Sequence, residues 1–376
     1  MIFTRKYKVV TPRPLRLGGA EIAYATSVRY LGVQLDQKLH WKEYIKTELS
    51  KTYASLWACK KGRDCGFSPK ISIWLYKMVL LQRLMSAAVV WWLTAERAEV
   101  RNRLKALQGN FLRAATGAMK TTPTDALEAV LDLPPLGLLL VGKAELTAYR
   151  LVCPGEWIPA RAAYTELNSP AAIKALIKPS TNSKRIWETM EELKKLEKHN
   201  KTTLAWVPGH GGIHGNEKAG RLTKQGSLSE TVAQPVGVPS VVGQKAIKNK
   251  IQREHTHRWK NIESCRKARA AMLGPSSTRA KQLLNMDKKD LSTVIRLLAG
   301  HGIFKAHCKT IGISEDALCR FCKVEPEDCL HIMCDCPALA VTRLQCWGIG
   351  FLTSDRISRR KASDFSRLAI KAGIEI

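Results

Sequence analysis

The segment 318–339, LCRFCKVEPEDCLHIMCDCPAL, gathers five of the chain's eleven cysteines and one histidine. Two residues separate Cys319 from Cys322, four separate His331 from Cys336, and eight lie between the pairs. Two thiolates one tight turn apart and a His/Cys pair about a helical turn apart can close a tetrahedral zinc site. Its bond energy would replace the hydrophobic core that so short a segment lacks. Cys329 and Cys334 fall in the same window and leave the ligand choice open. The plain alternative is a set of reduced, partly buried thiols in a helical hairpin. Eleven cysteines in 376 residues are too sparse for a disulfide scaffold, and their clustering reads as metal ligation in a reducing, intracellular compartment.

A second constellation is Trp206–Ala219, WVPGHGGIHGNEKA. Glycines let a loop approach a substrate closely, and His210 on such a loop could shuttle a proton during phosphodiester cleavage. A glycine turn with a surface histidine is the simpler reading of the same residues.

The elements that must position these residues show an α+β order. Leu15 and Leu17 precede, and Ile22 and Tyr24 follow, a Gly18-Gly19 turn, which predicts a β-hairpin; VRYLGVQLD then alternates as a further strand. From Lys38 the apolar period becomes helical, through Trp41, Tyr44, Ile45 and Leu49. Helical, apolar sequence continues from Ser68 to Arg113, and another helix ends near Leu133-Pro134-Pro135. Cys153 to Pro159 reads as a linker. Beyond it a short helix (Ala171 to Leu176), a charged helix (Lys184 to His199) and a strand running into the glycine loop give an α/β order. Ser227 to Val242 forms a second boundary before a helical, basic tail.

Charge narrows the partner. Lys plus Arg number 61 against 32 Asp plus Glu, a formal net charge of +29, so a polyanion is expected, most simply nucleic acid. Residues 245–281 hold eleven Lys or Arg against Glu254 and Glu263. The candidate phosphate contacts are Lys42 and Lys46 on the first helix, then Lys245, Lys248, Lys250, Arg253, Arg258, Lys260, Arg266, Lys267 and Arg269. The N-terminus lacks the apolar run of a secretory signal. Ile71 to Leu93 is long enough to span a bilayer, but Lys77 and Arg83 would each cost about 2.5–3.5 kcal/mol there, so a buried helix pair is expected and no membrane partner. Lys288-Lys289 and Arg359-Arg360-Lys361 are too short to decide between nucleus and cytoplasm, and composition is silent on oligomeric state.

Three segments carry a resemblance. WVPGHGGIHGNEKA, with YTELNSPAAIKALIKPSTNSKRIWETMEEL before it, resembles the closing part of type I RNase H domains. FTRKYKVVTPRPLRLGG and VRYLGVQLDQKLHWKEYI resemble the end of the palm and the start of the thumb of a jockey-type non-LTR retrotransposon reverse transcriptase. LLAGHGIFKAHCKTIGISEDALCRFC and HIMCDCPAL are similar to the Cys/His tail of those polyproteins. The resemblance implies an end-of-palm hairpin and strand over 1–37, a thumb-like helical subdomain over 38–152 and a truncated RNase H-like α/β domain over 153–226. A linker over 227–243 and a basic helical tail over 244–376, with a zinc-knuckle-like site at 319–336, complete the division.

It also implies a damaged nuclease. Such domains hold two Mg²⁺ ions with four carboxylates. The motifs for the first two are not present; the third falls on Asn168 or, with a slip, Glu166, and the fourth on Gly220. His210 matches the family's mobile-loop histidine. Glu166 and Glu217 could bind one Mg²⁺ loosely, so Mg²⁺ is expected only if the site is competent. The polymerase aspartates would lie upstream of Met1. The expectation is a sequence-independent binder of RNA, DNA or their hybrid without catalysis. The alternatives are an active ribonuclease on RNA–DNA hybrids and a decayed reading frame with no function.

Overall fold

The computed structural model describes residues 1, 3, 13–64, 67–152, 176, 184–198, 214, 217, 218, 221, 225 and 240–374. The expected strand before the glycine loop, the short helix at 171–176 apart from Leu176, and Glu166, Asn168, His210 and Gly220 lie outside the described residues.

Two small antiparallel hairpins open the chain: β1 (Leu15–Leu17) pairs with β2 (Ala20–Ile22), and β3 (Ser27–Tyr30) with β4 (Val33–Asp36). The first is the hairpin expected around Gly18-Gly19. The stretch VRYLGVQLD, expected as one strand, instead folds back on itself. Leu31 and Gly32 both take positive φ, 47° and 84°, the backbone that a two-residue turn between twisted strands requires. Alternation survives such a reversal, so period alone could not reveal it.

Among the described residues, the other regular elements are helical. The principal helices are α1 (Lys42–Asp64), α2 (Pro69–Leu75), α3 (Ala98–Thr116), α4 (Thr124–Val130) and α5 (Leu136–Val152), followed by α6 (Lys184–Glu197), α7 (Ser240–Asn261), α8 (Lys288–Ala299) and α9 (Ala362–Lys371). Asp36 prepares α1, its carboxylate accepting from the backbone N–H groups of Lys38, His40 and Trp41. Ser68 caps α2, where its Oγ accepts from the Ile71 N–H.

Among the described residues no single helix is long and apolar enough to cross a membrane. The apolar stretch runs as Pro69–Leu84 and Ala88–Glu96, bent by 57°. A π-helical turn at Tyr76–Leu80 and a left-handed Ala87 lie within that run. Ile73, Tyr76, Leu80, Leu84, Ala88 and Trp91 are buried, with Tyr76 stacked on Phe111 at 4.5 Å between centroids.

The described chain forms two compact units. One joins 1–144 to 250–376; the other is 145–249. In the first, α8 is the hub. Leu291, Val294, Ile295 and Leu298 recur at helical spacing and are wholly buried, touching α3, α4 and α9. Asp287 caps its start by accepting from the Asp290 N–H at 2.8 Å. Gly300 ends it at φ 72°, where a Cβ would meet Lys267 Cβ at 2.8 Å and Cys329 Sγ at 3.2 Å, so only glycine fits. In the second unit, α6 carries Lys194–Glu191 and Lys195–Glu192 pairs on its surface.

Candidate metal centre and basic surface

Cys319, Cys322, His331 and Cys336 converge so that one ligand atom from each lies within 4.8 Å of all the others, the one such group among the described residues. Sγ of Cys319 is 3.8 Å from Sγ of Cys336, and Sγ of Cys322 is 3.3 Å from Nε2 of His331. Tetrahedral zinc, with Zn–S of about 2.3 Å and Zn–N of about 2.0 Å, sets S···S at about 3.8 Å and S···N at about 3.5 Å. The donor set therefore fits a metal ion such as zinc. Four protein ligands close the coordination sphere, so a metal held here would support the fold and keep no position for substrate.

Local backbone explains the convergence. A bridge between Leu318 and Pro326, a 2.7 Å bond from the Cys319 N–H to the Glu325 carbonyl and a left-handed Lys323 fold residues 318–326 into a knuckle. Five residues along an α-helix rotate about 500°, leaving His331 and Cys336 about 140° apart in direction. The chain takes a π-helical turn over His331–Asp335 instead, with the Cys336 N–H donating to the His331 carbonyl at 2.8 Å. The expected pairing of His331 with Cys336 is thus realised by a wider turn than an α-helix supplies.

The two surplus thiols, Cys329 and Cys334, lie outside the group of converging ligand atoms. Cys329 packs beneath Gly300, and burial pushes both it and Cys334 up to about 12. Backbone N–H groups of Glu325 and Val324, with His331, hold the Cys322 thiol down to about 6. Burial pushes Cys336 up to about 12, a tendency that a bound divalent ion reverses for any thiol that ligates it.

Three surrounding groups have no counterpart in the sequence reasoning. Glu325 Oε2 lies 3.1 Å from His331 Nδ1, which leaves Nε2 to face the thiols. Glu327, with no exposed surface, accepts from the Arg320 N–H and guanidinium, tying the knuckle together. Arg343 is also wholly buried and donates to the carbonyls of Gly350 (2.6 Å), Ile332 (3.0 Å) and Cys336 (2.6 Å). The acidic run VEPED inside the ligand window was a signal for the two glutamates; nothing local marked Arg343.

The basic residues divide by use. Lys42, Lys46, Lys245, Lys248, Lys250, Arg253, Lys260 and Arg266 are exposed. Three others also hold the fold: Arg258 pairs with buried Asp125 at 3.0 Å, Lys267 with Asp328 at 3.2 Å, and Arg269 donates to the Ile262 carbonyl. Asp125 also binds Lys105, and although burial pushes its carboxyl up, these cations bring it below the usual range. Beside it, burial and the Asp125 charge raise Glu128 to about 8. Glu217 is half-buried in the second unit and belongs to no potential metal group among the described residues.

Over 126 residues, a third of its length, the chain is 27% identical to a 115 kDa protein in the type-1 retrotransposable element R1DM of Drosophila melanogaster. The match covers 12% of that protein. It supports a retrotransposon-derived chain. No protein-family model and no solved structure matches.

Proposed function

We propose that the chain is a nucleic-acid-binding remnant of a jockey-type non-LTR retrotransposon polyprotein, folded around zinc and without catalysis of its own. The observation that carries this reading is the row of exposed cations on α7 and just beyond it, Lys250, Arg253, Lys260 and Arg266, in the same compact unit as the Cys₃His group. Exposed Lys and Arg release condensed counterions from a phosphate backbone, an attraction indifferent to base sequence. RNA, DNA and their hybrid are accordingly all partners. Zinc-ligating thiolates suit a reducing intracellular compartment, nucleus or cytoplasm alike.

The absence of catalysis rests on residue identity. Asn168 and Gly220 stand where the resemblance requires carboxylates, and Glu166 and Glu217 do not suffice for two Mg²⁺ ions.

Filter binding across a salt series tests the proposal. Four neutralised phosphates on a single strand give a log–log slope of about −2.8, at about −0.7 each. Retention that does not change with salt, or no retention, overturns it. A labelled RNA–DNA hybrid incubated with Mg²⁺ should stay intact; cleavage that His210→Ala slows would favour the ribonuclease reading.

A further inference from the structure

A cavity of about 750 Å³ opens between α8 and α9 in the first unit. Its described walls bring together Lys288, Lys289, Arg296 and Asp290 of α8, and meet Ser366 and Ile370 of α9. Its size falls in the range of small-ligand sites, roughly 300–1,000 Å³.

The α8 N-terminus is not what would bind an anion here, because the Asp287 carboxylate already accepts from the Asp290 N–H. Side chains supply the charge. Arg296 is fixed in the wall: its Nη2 donates to the Gly117 carbonyl at 3.0 Å, and Ser292 Oγ donates to the same oxygen at 2.9 Å. Lys288 and Lys289 are exposed on the first turn, with long side chains able to extend along the wall. Ile370 is 70% exposed on a helix whose Phe365, Leu368 and Ala369 are buried, so an uncovered apolar surface stands beside the cations. Among the described residues no aromatic ring lines the cavity. It therefore offers phosphate and sugar contacts and no stacking platform for a base.

The geometry points to a nucleotide-phosphate site in this cavity, with Lys288, Lys289 and Arg296 holding the phosphate and Ile370 covering the sugar. The inference rests on the nucleic-acid reading above and adds a defined pocket to it. The phosphate belongs either to one position of a single strand or to a free nucleotide.

Fluorescence anisotropy of labelled ten-residue oligo-dT with the full chain tests it, with unlabelled dTMP as competitor. Two variants divide the causes. Lys288→Ala/Lys289→Ala removes charge from exposed positions and leaves the Asp287 cap in place; Thr293→Phe narrows the cavity and leaves every cation in place. The double lysine variant should bind about 25-fold more weakly at 0.1 M salt and lower the slope by about 1.4, at about 0.7 per phosphate. Thr293→Phe should weaken binding at least fivefold, with its thermal melt within a few degrees of the parent. Displacement by millimolar dTMP assigns the site to a free nucleotide; displacement only by unlabelled strand assigns it to a strand.

Salt-sensitive binding by the parent that neither variant changes overturns the cavity site and leaves the broader reading standing. Loss in the lysine variant alone also overturns it, since charge without the pocket would then suffice. If the parent itself does not bind oligo-dT, the nucleic-acid reading falls first.

Discussion

Replacing Arg343 with methionine should weaken the metal centre as well as the fold. Its guanidinium has no exposed surface, donates to three carbonyls, one of them that of Cys336, and among the described residues pairs with no carboxylate. A buried charge is costly unless it is countered, and without a direct ion pair the countering must come from the charges nearby. Burial opposes the charged Arg343; three thiolates and one divalent ion carry a net charge of −1, and Cys336, one of those thiolates, favours the charged form, as does Asp335. Arg343 is thus placed to neutralise the loaded centre. Removing one member of a buried charge pair costs about 3–5 kcal/mol, and loss of a partner outside the ligand shell lowers metal affinity about 10- to 100-fold. Arg343→Met should show both in denaturant unfolding with zinc present and in competition against a chromophoric chelator. Arg343→Lys, which keeps the charge and gives up two of the three carbonyl contacts, should recover most of the zinc affinity and little of the stability. If Arg343→Met is destabilised yet binds zinc within threefold of the parent, Arg343 only ties carbonyls together and the counter-charge argument fails.

Two other outcomes follow from named groups. Elemental analysis should find one zinc per chain, lost in Cys319→Ser or Cys336→Ser and kept in Cys334→Ala; structural zinc contributes about 10–16 kcal/mol, so chelation should unfold the knuckle, and a parent protein without metal would favour the reduced-thiol reading. Glu128, raised from 4.5 to about 8, keeps its proton in the fold where the unfolded chain has lost it. Its contribution is full below pH 4.5 and drains away as pH rises to about 8. The total is about 4–5 kcal/mol at about 1.4 per pH unit. Glu128→Gln should therefore gain on the parent as pH rises from 5 to 8.5 in chemical denaturation, and an unchanging difference between the two would show that the buried carboxyl is ionised throughout.

What the sequence made legible, and what it hid, follows from the range of each interaction. Local periodicity carries α1, α3 and the charged helix α6, because an amphipathic or capped segment announces itself within a few residues. The four metal ligands are legible for the same reason: knuckle and π turn together span only 319–336. Spacing already singles out these four, and the fold adds why Cys329 stands apart: its sulfur packs against Gly300. The union of 1–144 with 250–376 left no local trace. It is made by α8, whose apolar stripe is visible in one dimension but whose partners, α3 and α4, lie more than 150 residues earlier. The same long reach explains the basic residues. Arg258 belongs to a run of cations that reads as a phosphate-binding surface, yet in space it meets Asp125, 133 positions away, and leaves its neighbours Arg253 and Lys260 exposed. A count of positive charge cannot separate those two uses, because the carboxylate that distinguishes them comes from another helix. Binding strength should therefore track the exposed subset: charge removal at Arg253 or Lys260 should lower the salt slope by about 0.7 each on a single strand, whereas removal at Arg258 should first be felt as lost stability, through an Asp125 left buried with only Lys105 beside it.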